Sequence, residues 1–275
     1  MSKISTKYTR SVAVNMVIAN MIGTGIFTSL GFQVLDTGIP DPFAILVIWV
    51  LGGIVALCGA ASYGEVATTI RKSGGEYAFL SELYHPLLGF VSGWISMIAG
   101  FSAAIAGLAL ATGEYFMPLL GMPHDQTVHL GFDLPVSQII ATCVILLVLA
   151  VQWKGVRFGG TFQNIITYLK VALIAVFLLM PLLFAGQYEP SGVSFAPSDA
   201  SWSTILSPAF AGALVWVMFS YSGWNASTYI AGHIENPKKN LPFSLLLGTA
   251  IVTVIYFLLN LVFMYVATFE ELTPT

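Results

Sequence analysis

Three places in the chain carry residue types that could bind small charged molecules. Gly23-Thr24-Gly25 interrupts one apolar stretch, Ser220-Tyr221-Ser222-Gly223 interrupts another, and Lys170 stands alone as a charge inside a third. Glycine weakens a helix, and Ser or Thr offers the freed backbone other partners. A helix restarting after Gly25 presents unbonded N–H groups and a partial positive charge, which suits a carboxylate. Helices ending near Ile22 and near Phe219–Ser220 present free carbonyls, which suit an ammonium. Together these ends amount to a receptor for a zwitterion, built from backbone. A single Gly-x-Gly reads more readily as a face for close helix packing. The pair is what points to binding.

Lys170 lies about ten residues into its apolar stretch, about 15 Å deep at about 1.5 Å per residue. A cation near the bilayer midplane costs about 2.5–3.5 kcal/mol on insertion scales. Carbonyls freed by the first interruption could offset that cost. In one reading the tethered ammonium stands where a cation-coupled carrier would hold sodium. In a second it titrates in a proton pathway. In a third it pairs with Glu65 or Glu114 and serves packing alone.

The elements that must position these residues follow from the charge distribution. The 275 residues are 57% apolar and only 8% Asp, Glu, Lys or Arg, against roughly 25% charged in soluble domains. An ordinary soluble enzyme, a nucleic-acid binder and a disordered chain are all poor matches to that composition. The net charge of −3 suggests no polyanionic partner. A membrane helix needs about 20 mostly apolar residues. Seven charge-poor spans meet this, at 11–34, 42–69, 86–117, 136–153, 159–184, 206–232 and 241–268.

Lys3, Lys7, Arg10, Arg71, Lys72, Lys154, Arg157, Lys238 and Lys239 all fall in alternate connections. The others carry acids, among them Asp36, Asp41, Asp125, Asp133, Glu189, Asp199, Glu270 and Glu271. The positive-inside rule then places the amino terminus in the cytoplasm and the end of this chain outside, in a multi-pass protein of the cell membrane. The first apolar run is too long for a cleaved signal and lacks a small-residue cleavage site. Spans one and six are five apart and run in opposite directions. That is the pattern of an inverted-repeat transporter with two broken helices.

Other residues carry less. Cys58 and Cys143 read as small buried hydrophobes. Glu65 could bond to the Arg71–Tyr77 loop, and Glu114 reads as interfacial. His124 and His129 read as solvated. Trp94, Trp153 and Trp202 fit interfacial anchors. Asn240-Leu241-Pro242 reads as an N-cap followed by a first-turn proline. No metal-ligand spacing and no cofactor motif stands out.

With these motifs in view the sequence resembles the amino acid–polyamine–organocation superfamily, in its branch of L-type amino acid transporters and bacterial amino acid permeases. The motifs are Gly23-Thr24-Gly25-Ile26-Phe27, Lys72-Ser73-Gly74-Gly75-Glu76-Tyr77, Phe219-Ser220-Tyr221-Ser222-Gly223-Trp224-Asn225, and Asn236-Pro237-Lys238-Lys239-Asn240-Leu241-Pro242. The resemblance implies an all-α fold of two inverted five-helix repeats, usually followed by two more helices. In this chain it expects the first repeat at 1–184 and two helices of a second at 206–268. It implies a substrate site at Ile22, Gly23, Thr24, Gly25, Ile26, Phe219, Ser220 and Ser222, with Phe219 as gating aromatic. Lys170 matches a lysine that replaces sodium in sodium-independent members.

Two departures are visible. Gly232 and His233 stand where the family often carries an acidic pair. Seven spans stand where the family has about 12, so a fragment or one part of a split carrier is expected.

The leading expectation is a sodium-independent amino acid exchanger or proton-coupled permease, not an enzyme, with an amino acid as substrate. It would sit among membrane lipids, bind no nucleic acid, and need a missing carrier half or another membrane subunit. The alternatives are a polyamine or organic amine permease, and a non-transporting truncated membrane protein.

Overall fold

The computed structural model describes residues 7–70, 72–123, 125–129, 131, 133–184 and 191–273. Lys3, Arg71, His124, Glu189, Pro274 and Thr275, and the side chain of Arg157, lie outside the described residues. Charge-poor runs fold as helices here because hydrocarbon offers a backbone N–H no partner except its own helix.

Among the described residues, six segments are long and apolar enough to cross a membrane: Arg10–Thr37, Pro42–Thr69, Pro86–Leu119, Val136–Trp153, Phe158–Leu183 and Pro237–Val266. Asp199–Ile205 and Pro208–His233 form a bent pair, meeting at 68°, that makes a seventh if counted as one span. The chain is a multi-pass membrane protein, and the spans fall where the charge gaps place them.

The chain divides into two compact units, one holding the chain up to Gly75 and from Thr161 onward, the other Glu76–Gly160. The first contains α1 (Arg10–Met21), α2 (Gly25–Thr37) and α3 (Pro42–Thr69). Most of α8 (Val156–Leu183), then α9 (Asp199–Ile205), α10 (Pro208–Tyr221), a 3-10 segment (Ala226–His233), α11 (Pro237–Val266) and α12 (Phe269–Leu272) complete it. Helix α11 packs along α3 and α1, while α10 packs on α2 and α3. Ile45, Ile48, Trp49, Val217, Tyr221, Leu245, Val252 and Tyr256 meet with no exposed surface.

Local chemistry sets where these helices start. Asp41 accepts the Ala44 N–H at 2.7 Å ahead of Pro42, which caps α3. Its other oxygen accepts the Ser201 hydroxyl at 2.7 Å, which fastens α9 to that corner. Ser207 accepts the Phe210 N–H at 3.3 Å ahead of Pro208 and caps α10.

The start of α11 corrects the sequence reading. Asn236, in the left-handed region at φ 44°, precedes it and Pro237 opens it. Asn240 and Pro242 lie within the first two turns, and Asn240 spends its side chain on the Glu235 carbonyl and the Arg10 guanidinium. Pro242 therefore lies inside the helix, past the first turn, and withholds the N–H that would have bonded the Lys238 carbonyl.

The second unit contains α4 (Glu76–Leu83), α5 (Pro86–Ile95), a π-helical segment (Ser96–Ala103), α6 (Ala104–Leu119) and α7 (Val136–Trp153). Span three is therefore one rod with a widened middle, which its uniform apolar sequence does not reveal. Two three-residue strands, β1 (Thr127–His129) and β2 (Asp133–Pro135), pair antiparallel before α7 in an otherwise helical fold. Cys58 and Cys143 are exposed rather than buried. A bilayer-facing surface is as apolar as a core, so an apolar neighbourhood does not imply an interior one.

Candidate functional site

Span one breaks at Ile22-Gly23-Thr24, between α1 and α2. At the start of α2, the N–H groups of Phe27 and Thr28 both bond to the Thr24 carbonyl, at 3.0 and 3.2 Å. Among the described residues the N–H groups of Thr24, Gly25 and Ile26 have no protein acceptor. They sit at the positive end of a 13-residue helix, the arrangement that attracts an anion. Gly23 and Thr24 are exposed, Ile22, Gly25 and Ile26 are buried, and a Cβ on Gly23 would meet nothing within 4 Å.

Span six breaks two residues later than expected. Helix α10 continues through Ser220 and Tyr221, and the break comprises Ser222-Gly223-Trp224-Asn225. Tyr221 stays helical because its ring is buried against Trp49 and its hydroxyl donates to the Trp49 carbonyl at 2.9 Å. The second half continues as a 3-10 helix from Ala226, with the Ala226 N–H bonded to Gly223 at 3.1 Å. Trp224 packs edge-on against Tyr63, ring centres 4.8 Å apart.

The two breaks touch. A Cβ on Gly25 would lie 3.0 Å from the Ser220 hydroxyl and 3.2 Å from its Cα. Gly223 has φ 99°, and a Cβ there would lie 2.9 Å from both the carbonyl carbon and oxygen of Asn20. Only glycine allows both approaches. Side chains then join the halves pairwise. Ser29 on α2 bonds to Ser220 on α10 at 2.7 Å, and Phe32 stacks on Trp216 at 5.3 Å. Ser227, past the second break, donates to the Ala13 carbonyl of α1 at 2.6 Å.

Lys170 reaches the first break from α8. Its Nζ donates to the Ile22 carbonyl at 2.7 Å and to the Ala19 carbonyl at 3.2 Å. The last turn of α1 carries a partial negative charge and unpaired carbonyls, so the ammonium meets the partner its depth demands. Two more polar contacts hold α8 to α1, Asn164 with Asn15 at 2.8 Å and Tyr168 with Ser11 at 3.0 Å.

The expected carbonyl acceptors are already partly used. Ile22 serves Lys170, Phe219 receives the Ser222 N–H at 3.1 Å, and Ser220 receives the Tyr256 hydroxyl at 3.0 Å. Each oxygen keeps a second lone pair. Ser222 is exposed, and the Phe219 ring is 64% exposed at the edge of this cluster.

Sequence reasoning missed Tyr256 and Ser29, because a lone tyrosine or serine in an apolar span carries no spacing signal. It also missed how the motifs meet beyond the breaks. Ser73 accepts the Gly232 N–H at 2.9 Å. Tyr8 bridges the chain at Ile234, donating to His233 at 2.6 Å and accepting from Glu235 at 2.9 Å. Arg10 donates to Asn240 at 3.0 Å and lies 4.7 Å over the Phe243 ring. Among the described residues no cluster of His, Cys, Asp or Glu could hold a metal ion.

Known proteins with this sequence pattern are transporters by name. The chain is 32% identical over 264 residues to the mouse (Mus musculus) b(0,+)-type amino acid transporter 1, covering 94% of this chain and 50% of that protein. It is 29% identical over 260 residues to the serine/threonine exchanger SteT of Bacillus subtilis, covering 94% and 55%. It is 28% identical over 274 residues to the human (Homo sapiens) cystine/glutamate transporter, covering 98% and 52%. The chain thus spans about half the length of the relatives it matches. The amino acid permease family matches residues 10–275, which takes in both broken spans and Lys170, and the chain belongs to that family.

Proposed function

We propose that this chain binds an amino acid zwitterion between the two breaks and carries it across the membrane as a secondary carrier. The carboxylate lies on the open amides of Thr24, Gly25 and Ile26 beside Gly23. The ammonium lies on the remaining lone pairs around Ser220 and Ser222, with the Phe219 carbonyl close by, the Ile22 carbonyl is left to Lys170, and the Phe219 ring closes over the ligand. Lys170 holds the first break with a fixed positive charge, which makes a sodium ion there unnecessary. The supporting observation is the unbonded amide end of α2 in direct contact with the last turn of α10. A zwitterion needs one helix end of each polarity within its own length, and this contact supplies them.

The same reading assigns residues 1–184 to a first five-helix repeat and 206–268 to two helices of an inverted second one. It keeps the amino terminus in the cytoplasm. It takes the rest of the site wall from the portion of the relatives that this chain does not match, in the same polypeptide or in a membrane subunit. Uptake and exchange of radiolabelled amino acids in proteoliposomes, with a competition panel of amino acids, polyamines and simple amines, tests it. Saturable uptake inhibited by amino acids and indifferent to sodium is expected. Inhibition by polyamines alone, or no uptake by any form of the protein, overturns it.

A further inference from the structure

The two breaks set a problem that neither solves by itself. Helix α1 ends at Met21 and α10 ends at Tyr221, so two carbonyl-bearing, partially negative ends converge on one point. In a water-free interior an unpaired carbonyl is costly, and two that face each other repel. Among the described residues Lys170 serves Ala19 and Ile22 only.

Tyr256 fills the remaining gap. It lies on α11, which runs unbroken from Pro237 to Val266, and it has no exposed surface. Its hydroxyl donates to the Met21 carbonyl in a short bond and stands 3.0 Å from the Ser220 carbonyl. The ring is fixed from two sides, edge-on to Trp49 at 5.6 Å and tilted against Tyr221 at 5.0 Å. A hydroxyl has one proton, so this one is shared between the last turns of the two half-helices.

We propose that Tyr256 is a positioning residue which sets the spacing between the two breaks, and with it the distance between the carboxylate and ammonium subsites. The inference rests on the zwitterion reading above and adds a residue to it. Tyr256 meets the ammonium subsite only at the Ser220 carbonyl, whose second lone pair it leaves to the ligand, and it does not reach the carboxylate subsite. It acts by holding Met21, two residues from Gly23, against Ser220, the residue Gly25 packs on. A ligand that spans both subsites depends on that spacing, whereas one that occupies a single subsite does not.

The test uses the purified protein with the rest of its site wall in place, as one polypeptide or with its membrane subunit, and three ligands. These are an amino acid that the wild-type protein binds, the amine lacking its carboxylate, and the acid lacking its amine. Tyr256→Phe keeps the ring and removes the proton. The amino acid should bind about tenfold more weakly, about 1.4 kcal/mol, while the amine and the acid change less than twofold. Equal weakening of all three indicates a structural role and overturns the proposal, as does unchanged amino acid binding. Wild-type protein that binds no amino acid removes the carrier reading and this inference together. Wild-type binding that Tyr256→Phe leaves unchanged removes this inference alone. If Tyr256→Phe yields no folded protein, p-aminophenylalanine at position 256 carries the test. It keeps the reach and brings two N–H donors, so amino acid affinity should match or exceed wild type. A tenfold loss in that folded variant overturns the proposal.

Discussion

The two breaks look alike in sequence and are built in opposite ways. The first is open and charged. Its amides on Thr24, Gly25 and Ile26 are unbonded, Gly23 borders empty space, and an ammonium from α8 holds its carbonyls. The second is packed and neutral. Gly223 is pressed on the backbone of Asn20, Trp224 on Tyr63, and the Ser220 carbonyl meets a hydroxyl rather than a cation. A break that must receive an anion has to leave donors free, and a nearby fixed cation adds to its positive potential. A break that offers carbonyls must avoid a fixed cation, because one would repel an incoming ammonium. The asymmetry suits a ligand with one charge of each sign.

That contrast can be tested from both sides. The largest effect should come from Gly223→Ala, which forces a left-handed backbone and a clash with Asn20 backbone. A loss of about 2–4 kcal/mol is expected, seen as low yield and a lowered melting temperature in detergent. A variant as stable as wild type would mean that the second break is not the packed one.

Next comes Gly25→Val, whose branched side chain collides with Ser220 while lying beside the open amides. Uptake should fall at least about 100-fold, with membrane insertion and yield retained, since an over-packing cost of about 1–3 kcal/mol falls on the site itself. Uptake near wild type would remove the anion subsite from α2.

Lys170→Met keeps most of the length and removes the charge. It leaves the Ile22 carbonyl unpaired, at a cost of about 1–3 kcal/mol, so amino acid affinity should drop about tenfold. Binding that became dependent on sodium would sharpen the comparison, because a free ion would then be doing the lysine's work. Unchanged affinity would leave the lysine a packing role only.

The smallest effect belongs to Gly23→Ala. With open space around its Cβ, the melting temperature should shift by no more than a destabilisation of about 1 kcal/mol would produce, far less than for Gly223→Ala. A drop as large as that of Gly223→Ala would show that both breaks are packed alike.

Much of this is legible in the sequence. The scarcity of charge places the spans, since a bilayer excludes charge over a fixed thickness. The first break falls within a residue of Gly-Thr-Gly, because that triplet has few helical alternatives. The second was displaced by two residues. Ser220 and Tyr221 have modest helical preference, but the buried ring of Tyr221 and its bond to Trp49 keep them in α10. The start of α11 was misplaced for a related reason. Two Asn-x-Pro-like signals lie four residues apart, and Asn240 was drawn into the helix by its bonds to Glu235 and Arg10.

Local sequence alone determined that the chain crosses a membrane, where it does so, which rods are interrupted, and that one lysine lies inside an apolar span. These follow from composition and from the conformational limits of glycine, which act within a few residues. Tertiary structure decided what each freed backbone group meets. Whether Lys170 would meet a carboxylate or a helix end, and whether a tyrosine 36 residues beyond Ser220 would meet two carbonyls at once, depends on how separate helices cross. A single linear pattern does not encode that crossing, because packing between apolar helices is set by the shapes of many side chains together.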